Sequence, residues 1–447
     1  MLQSVYEMFT LPYIFFEYMR YNFCYCSHKA LCQTIKHIFV VCLLFYAMFF
    51  HIQPLKAQNI ENQLLRNIGQ KISNQSSNQP KKVLSKGREQ LMGKMLDYFE
   101  DKNGVYTIEQ MASPIFADKF IRSEKDILNF GFTSSVYWIR LQIEGAYRGE
   151  NEYILEINYP LIDSLTIFRQ NSEEQWFSSA EGDGYPFSKR EIAHRNIAHQ
   201  IRVPPQKTST VFLRFKTQGS MQIPILLWKP KDFYNQAFNE NMTFGILFGT
   251  LLVVVAYNIF LFWILQRAIH LHFSFMILIS IVFLATLNGY AFKYLFAEQV
   301  TYANNALPVS VGLLTTLTCI FVIWILHIQK YSMFLYVLLC VLSVIGVFTM
   351  ISPLLLNYNF AIKFGLLNGL LASLLSFLSS IICRLQGGLQ ARYLIPASYL
   401  YLIGIVLVYL KSFGAIETTF ISTHAVELGS VFQAIFFSLA LRERYQV

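Results

Sequence analysis

The chain has 447 residues, of which 54% are hydrophobic and only 14% charged, with 40 Phe and a mean hydropathy of +0.39. Soluble domains carry about 25% charged residues, so this composition is that of a membrane protein. The net charge of +9 lies largely in the leader, at Lys81-Lys82 and beside apolar segments, without a basic patch interleaved with exposed aromatics; membrane orientation, and no nucleic acid, is its expected use.

Residues 1–57 read as a signal peptide or N-terminal anchor with a long leader. Lys29, Lys36 and His37 precede the apolar run Ile38 to Ile52, which has the length of a signal-peptide core and is short for a span. Ala57 is a tolerable cleavage site, Met19 an alternative start, and cleavage and retention both stand. Residues 58–94 are a polar linker rich in Asn, Gln, Ser and Lys, which buries too little apolar surface to offset its ordering entropy. A short helix is predicted over Arg88 to Phe99. No cysteine falls between Ala57 and Phe244, so the domain there cannot rest on disulfides. Cys24, Cys26 and Cys32 lack a partner pair at zinc spacing.

Residues 95–235 alternate with the period of strands. Strands are predicted at Val136 to Ile143, Tyr153 to Ile157, Ser164 to Phe168, His199 to Val203, Val211 to Phe215 and Ile223 to Trp228, separated by clusters such as Gly182-Asp183-Gly184 and Pro204-Pro205. Short strands with Gly/Pro turns argue for an antiparallel, all-β sandwich of jelly-roll type. Residues 243–442 carry seven apolar segments, Phe244–Leu265, Leu271–Gly289, Leu307–Ile328, Tyr331–Ile351, Phe360–Cys383, Leu394–Leu410 and Ile421–Leu441. Each approaches the ~20 residues needed to cross a bilayer as a helix, which predicts an all-α seven-helix transmembrane bundle. With the sandwich outside, the inner loops hold Arg267, Lys330, Arg384 and Arg392, and residues 443–447 form a short cytoplasmic tail, in keeping with the positive-inside bias.

Several stretches resemble the bacterial 7TM receptors with diverse intracellular signalling modules. In the bundle these are Tyr257-Asn258, Asn288-Gly289-Tyr290-Ala291-Phe292, Asn304-Asn305, Glu427-Leu428-Gly429-Ser430 and Ser438 to Arg444. Upstream, Asn129 to Thr133, Tyr137-Trp138-Ile139-Arg140, Glu156 to Asp163 and Gly182 to Phe187 resemble the same family's type 2 extracellular sensor, a carbohydrate-binding-module-like jelly roll. The resemblance covers about Leu96 to Tyr445. Such receptors commonly continue into a coiled coil and an output domain, such as a histidine kinase, a diguanylate cyclase or a phosphatase. This sequence carries none before Val447, so the resemblance implies an output partner in trans or a truncated coding region.

Polar groups within spans need partners, because burying them in hydrocarbon is costly. Asn258, Asn288, Asn368, His424 and Glu427 are therefore either a relay or interhelical hydrogen bonds that lock the bundle. His424 and Glu427, three apart, share a helix face. His270 and His272 are expected to be interfacial, and His194 and His199 likewise, none of them metal ligands. In the sandwich, Trp138 could face either surface. Trp176 and Tyr185 are predicted in loops, where binding residues concentrate, with Asp183 and Arg190 as polar partners for a sugar-like ligand. Arg442, Glu443 and Arg444 form the expected output end. No His-Glu-x-x-His, Gly-x-Ser-x-Gly or phosphate-loop motif occurs, and the seventh span has no lysine for a retinal Schiff base. The expectation is thus a non-enzymatic receptor of the bacterial inner membrane, without cofactor or metal. Its expected partners are membrane lipid, an extracytoplasmic small molecule or sugar, a kinase, cyclase or similar cytoplasmic protein in trans, and, left open, a second copy as a homodimer. A transporter or channel, or a membrane-embedded enzyme, is the alternative.

Overall fold

The computed structural model describes residues 89–145, 151–170 and 175–444. The predicted leader, most of the linker and the last three residues lie outside them. β1 (Glu89–Leu91) is followed by a 3-10 turn at Gly93–Met95 and by β2 (Asp97–Asp101). Of the helix expected over Arg88 to Phe99, the described part from Glu89 is a strand, a 3-10 turn and a strand. Leu91 pairs with Leu226, far along the chain, an edge pairing that local propensity does not register. Two short helices follow, α1 (Ile108–Met111) and α2 (Pro114–Ala117), then β3 (Ile121–Arg122), β4 (Leu128–Phe132), β5 (Val136–Glu144), β6 (Glu152–Ile157), β7 (Ser164–Gln170), β8 (Trp176–Glu181), β9 (Ile197–Arg202), β10 (Thr208–Lys216), β11 (Ser220–Ile223) and β12 (Ile225–Trp228). The single strand expected from Ile223 to Trp228 is broken at Pro224, which has no N–H for a ladder. β11 pairs with β4, whereas β12 joins β6.

A six-stranded sheet, β3-β2-β5-β10-β7-β8, faces a four-stranded one, β1-β12-β6-β9. Alternation supplies the core between them: Ile139, Leu141, Leu213 and Ile167 from one sheet meet Leu155, Ile157, Ile201 and Leu227 from the other. Both outer faces are also covered. Trp138 packs with Ile108, Met111, Phe120 and Phe212 beneath α1 and α2, while Trp228, Leu226 and Ile154 pack against Phe233. Trp138 thus belongs to a second, outer-face core, 1% exposed.

The seven predicted spans fall on α3 (Pro230–Leu265), α4 (Ala268–Leu287), α6 (Val300–Leu326), α7 (Met333–Leu355), α8 (Tyr358–Leu385), α9 (Ala391–Ser412) and α10 (Phe420–Arg444), with the short α5 (Tyr290–Tyr294) after α4. Helix α3 has 36 residues, roughly 54 Å against a hydrocarbon layer of about 30 Å. Its first turns therefore stand outside the hydrocarbon, beside the sandwich. Small residues bring neighbouring helices close: a Cβ at Gly312 of α6 would overlap the backbone of α7 at Gly346 and Met350.

Candidate functional site

The segment between β8 and β9 docks the sandwich on the outer end of the bundle. The Phe187 N–H donates to the Ala297 carbonyl at 2.7 Å, and the Phe187 ring meets Phe292 edge-on at 5.5 Å. On another side, Asn129 Nδ2 donates to the Lys411 carbonyl and the Ser220 hydroxyl to the Ser412 carbonyl, both at 2.8 Å. Phe132 packs on Phe413 beside them.

Between these contacts runs a continuous polar chain centred on Arg195. Its guanidinium lies 2.8 Å from Glu240 on the outer part of α3 and donates to the Asn288 carbonyl, at the end of α4, at 3.3 Å. Asn288 Nδ2 in turn donates to Glu427 Oε1 of α10 at 2.9 Å. One sandwich residue thereby bridges to α3 and α4 directly and to α10 through one side chain. Arg195 is itself held in place. Arg190 donates to the carbonyls of His194 and Arg195 at 2.8 and 2.9 Å, with its guanidinium beside the rings of Phe187 and Phe292. The next residue, Asn196, donates to Glu156 Oε1 at 2.7 Å, and Trp228 Nε1 donates to Glu156 Oε2 at 2.7 Å. Buried groups paired in this way help fix a geometry, since breaking one such bond would leave a donor unpaired at a cost of about 1–3 kcal/mol.

His194 Nδ1 lies 3.8 Å from Glu156 Oε1, an ion-pair distance, yet burial favours the neutral form of each. Desolvation, with repulsion from Glu240, raises the Glu156 carboxyl to about 7. Desolvation, with repulsion from Arg195, lowers His194 to about 4. We therefore treat this contact as a neutral pair. The two contribute to stability with opposite sign. The Glu156 contribution is complete below about 4.5 and is lost as pH rises through about 7; that of His194 is complete above about 6.5 and is lost as pH falls through about 4. Between 4.5 and 6.5 their slopes cancel. Relative to wild type, His194→Gln is expected to uncover a melting temperature that falls as pH rises through that window. Glu156→Gln should uncover one that falls as pH drops. Thermal melts of the three proteins across pH 4 to 7 check this, and parallel curves would refute it.

A cavity of about 220 Å³ opens between the sandwich and the outer ends of α6 and α8, lined by Asp163, Gln218, Val300, Thr301, Asn304, Asn305 and Tyr358. Asp163 accepts from the Gln218 N–H at 2.8 Å and the Thr217 hydroxyl at 3.1 Å. Burial raises the carboxyls of Asp163 and of neighbouring Asp183 above the usual carboxylate range, Asp183 the more strongly because Asp163 repels it as well. The buried Asn304 Oδ1 has no hydrogen-bond partner among the described residues. The lining thus presents side-chain acceptors and amides toward this small space.

The four residues of the sugar-facing set predicted from sequence fall in different settings. Trp176 opens strand β8 instead of lying in a loop, and its ring meets Phe212 edge-on within the outer-face core. Tyr185 does lie between elements, its hydroxyl 3.3 Å from that of Ser164. Asp183 and Arg190 are both buried, and Arg190 holds the Arg195 backbone. In the bundle, His424 Nδ1 lies 3.9 Å from Glu427, so Asn288 rather than His424 is the closer partner. Deeper in, Asn258 of α3 donates to Ser438 of α10 at 3.0 Å, and its Oδ1 lies 3.2 Å from His270 Nδ1 of α4. His270, in the first turn of α4, is therefore buried among the helices. At the inner end Glu443 pairs with Arg392 at 2.9 Å, and Arg442 is half-buried. Helices α3, α4 and α10 are thus joined by polar contacts at both ends. Sequence reading missed Arg195, Glu240, Glu156 and Asn196. The available signal was Arg195 itself, a cation in the stretch just before a predicted strand.

A sheet domain joined by buried polar contacts to seven helices long and apolar enough to cross a bilayer is the layout of a multi-pass membrane protein. Comparison with known families agrees: residues 93–229 match the family described as 7TMR-DISM extracellular 2, and residues 240–444 match 7TM diverse intracellular signalling. The chain belongs to the 7TM receptors with diverse intracellular signalling modules. No curated protein matches it.

Proposed function

We propose that this receptor, in a bacterial inner membrane, takes a small polar molecule, sugar-like in its hydroxyls, into the cavity between sandwich and bundle. The C-terminus would face the cytoplasm, where Arg442, Glu443 and Arg444 present the helix end to a kinase, cyclase or similar protein acting in trans. The chain is a relay and not a catalyst on this reading, and it needs no cofactor for the relay. The observation that carries it is the Arg195–Asn288–Glu427 chain, which makes the position of α10 depend on how the sandwich sits. A ligand wedged beside Asp163 and Asn304 contacts both domains and so binds their alternative arrangements with different affinity, which is the requirement for shifting the equilibrium.

The test uses the full chain in lipid nanodiscs with a panel of monosaccharides. Hydrogen exchange is followed at the cavity and at the inner end of α10. A binding sugar is expected to alter exchange at both places, and Asn304→Ala to weaken it roughly tenfold, as for loss of one well-placed hydrogen bond. Sugar binding that leaves the α10 end unchanged, or sugar flux across sealed vesicles, would sink the relay.

A further inference from the structure

His199, on β9, is the meeting point of two carboxylates from separate segments. Its Nδ1 lies 3.1 Å from Glu181 Oε1, at the end of β8, and 2.7 Å from Glu191 Oε2, in the docking segment. One ligand atom from each residue falls within 4.8 Å of the others. Glu181 and His199 side chains are 2% exposed, while Glu191 is 37% exposed and so leaves a route from solvent. Glu191 Oε1 accepts the Gln200 N–H at 3.2 Å, which turns Oε2 toward the imidazole. Glu181 Oε2 is buried without a hydrogen-bond partner among the described residues.

A single imidazole nitrogen with one proton cannot satisfy two carboxylates in good geometry. A divalent ion can. Ligand atoms about 2.0–2.2 Å from a tetrahedral ion stand roughly 3.4 Å apart, so an ion would part the two contacts, now 2.7 and 3.1 Å, by only a few tenths of an ångström. Its charge would also balance the two carboxylates, one of them fully buried. We propose that Glu181, Glu191 and His199 bind a zinc-class divalent ion, with water in the fourth position. The imidazole nitrogen selects against calcium and magnesium, which take oxygen ligands.

The placement gives the ion a structural consequence. β8 is an edge of the six-stranded sheet and β9 an edge of the four-stranded one, so the ion joins the two sheets at their open side. It also pins Glu191, one residue beyond Arg190 and four before Arg195, and thereby the segment that docks on the bundle. Spacing along the chain conceals the set, because its three ligands come from two strands and a loop.

The test titrates chelator-stripped full-length protein in nanodiscs with zinc ion alone, for wild type and for Glu191→Gln, whose exposed side chain can change without loss of fold. Wild type should gain one zinc equivalent that Glu191→Gln binds on the order of 100-fold more weakly. X-ray absorption of the bound zinc should show nitrogen and oxygen neighbours without sulfur. Zinc should also slow exchange across the Phe187 to Arg195 segment, and magnesium or calcium should not. Equal zinc binding by both proteins, or none by wild type, would show that Glu191 holds no zinc. A sulfur-rich zinc shell would place the metal on the cysteines. Either result overturns the proposal.

Discussion

Arg195→Ala is expected to release the sandwich from the bundle while each keeps its own fold. The substitution removes the 2.8 Å pairing with Glu240 and the bond to the Asn288 carbonyl at one stroke. Truncating one partner of a buried, hydrogen-bonded charge pair costs roughly 2–5 kcal/mol, much of it from the charge left behind. Here the charge left behind is Glu240, whose side chain is only 19% exposed. Backbone exchange should therefore quicken at the outer parts of α3, α4 and α10, and the change induced at the inner end of α10 by any cavity ligand should vanish. Adding Glu240→Gln to Arg195→Ala should recover part of the lost stability, since the orphaned charge goes with it. Arg195→Lys should retain attraction to Glu240 and lose the Asn288 contact, because an ammonium lacks the fork that reaches both. Exchange rates unchanged in Arg195→Ala would mean that the other docking contacts suffice, and that the relay is incidental.

Much of the architecture was legible in the sequence because two periodicities differ sharply. Alternation in Val136 to Ile143 marks a strand, and unbroken apolar runs near 20 residues mark spans. What escaped was set by contacts distant in sequence. β1 exists because β12 offers it an edge, and Trp176 is in a strand because β7 pairs with it at Gln170. Neither is a local property. The intramembrane polar residues were identifiable by cost alone, since Asn258, Asn288 and Glu427 could not remain unpaired in hydrocarbon. Their partners were not identifiable. Asn288 lies 139 positions from Glu427, and the sequence offered His424 as the nearer candidate only because it shares a helix turn. Arg195 was overlooked for a related reason: a cation in a polar stretch looks solvated until the fold buries it against a second domain. The packing of Trp138 on the outer face was not legible because the short helices α1 and α2 cover that face, and helices of four residues leave almost no periodic signal.

Gly289→Val separates the two domains by a different force, steric rather than electrostatic. Gly289 follows α4 with φ of +79°, a left-handed conformation that costs a non-glycine residue roughly 1–2 kcal/mol. A Cβ there would also lie 2.7 Å from both the Arg195 carbonyl oxygen and Pro160 Cβ of the sandwich. The docked segment must then move away or the turn must unwind, and overpacking of this kind adds typically 1–3 kcal/mol. Gly387, after α8, provides the control. Its φ of +91° imposes a comparable backbone cost, yet no atom of the described residues stands within 4 Å of an added Cβ. Valine at 387 should therefore lower the melting temperature only modestly and leave exchange at the interface unchanged. Valine at 289 should lower it further and deprotect the Phe187 to Arg195 segment. Gly131 tests the opposite end of the interface, since its added Cβ would lie 2.7 Å from the Phe413 carbonyl oxygen, with φ of +63°. If sandwich and bundle are one coupled unit, valine at 131 or at 289 should loosen the contacts around both glycines. If valine at each position loosens only its own end, the sandwich is held by independent anchors, and a ligand could tilt it about one of them without undocking.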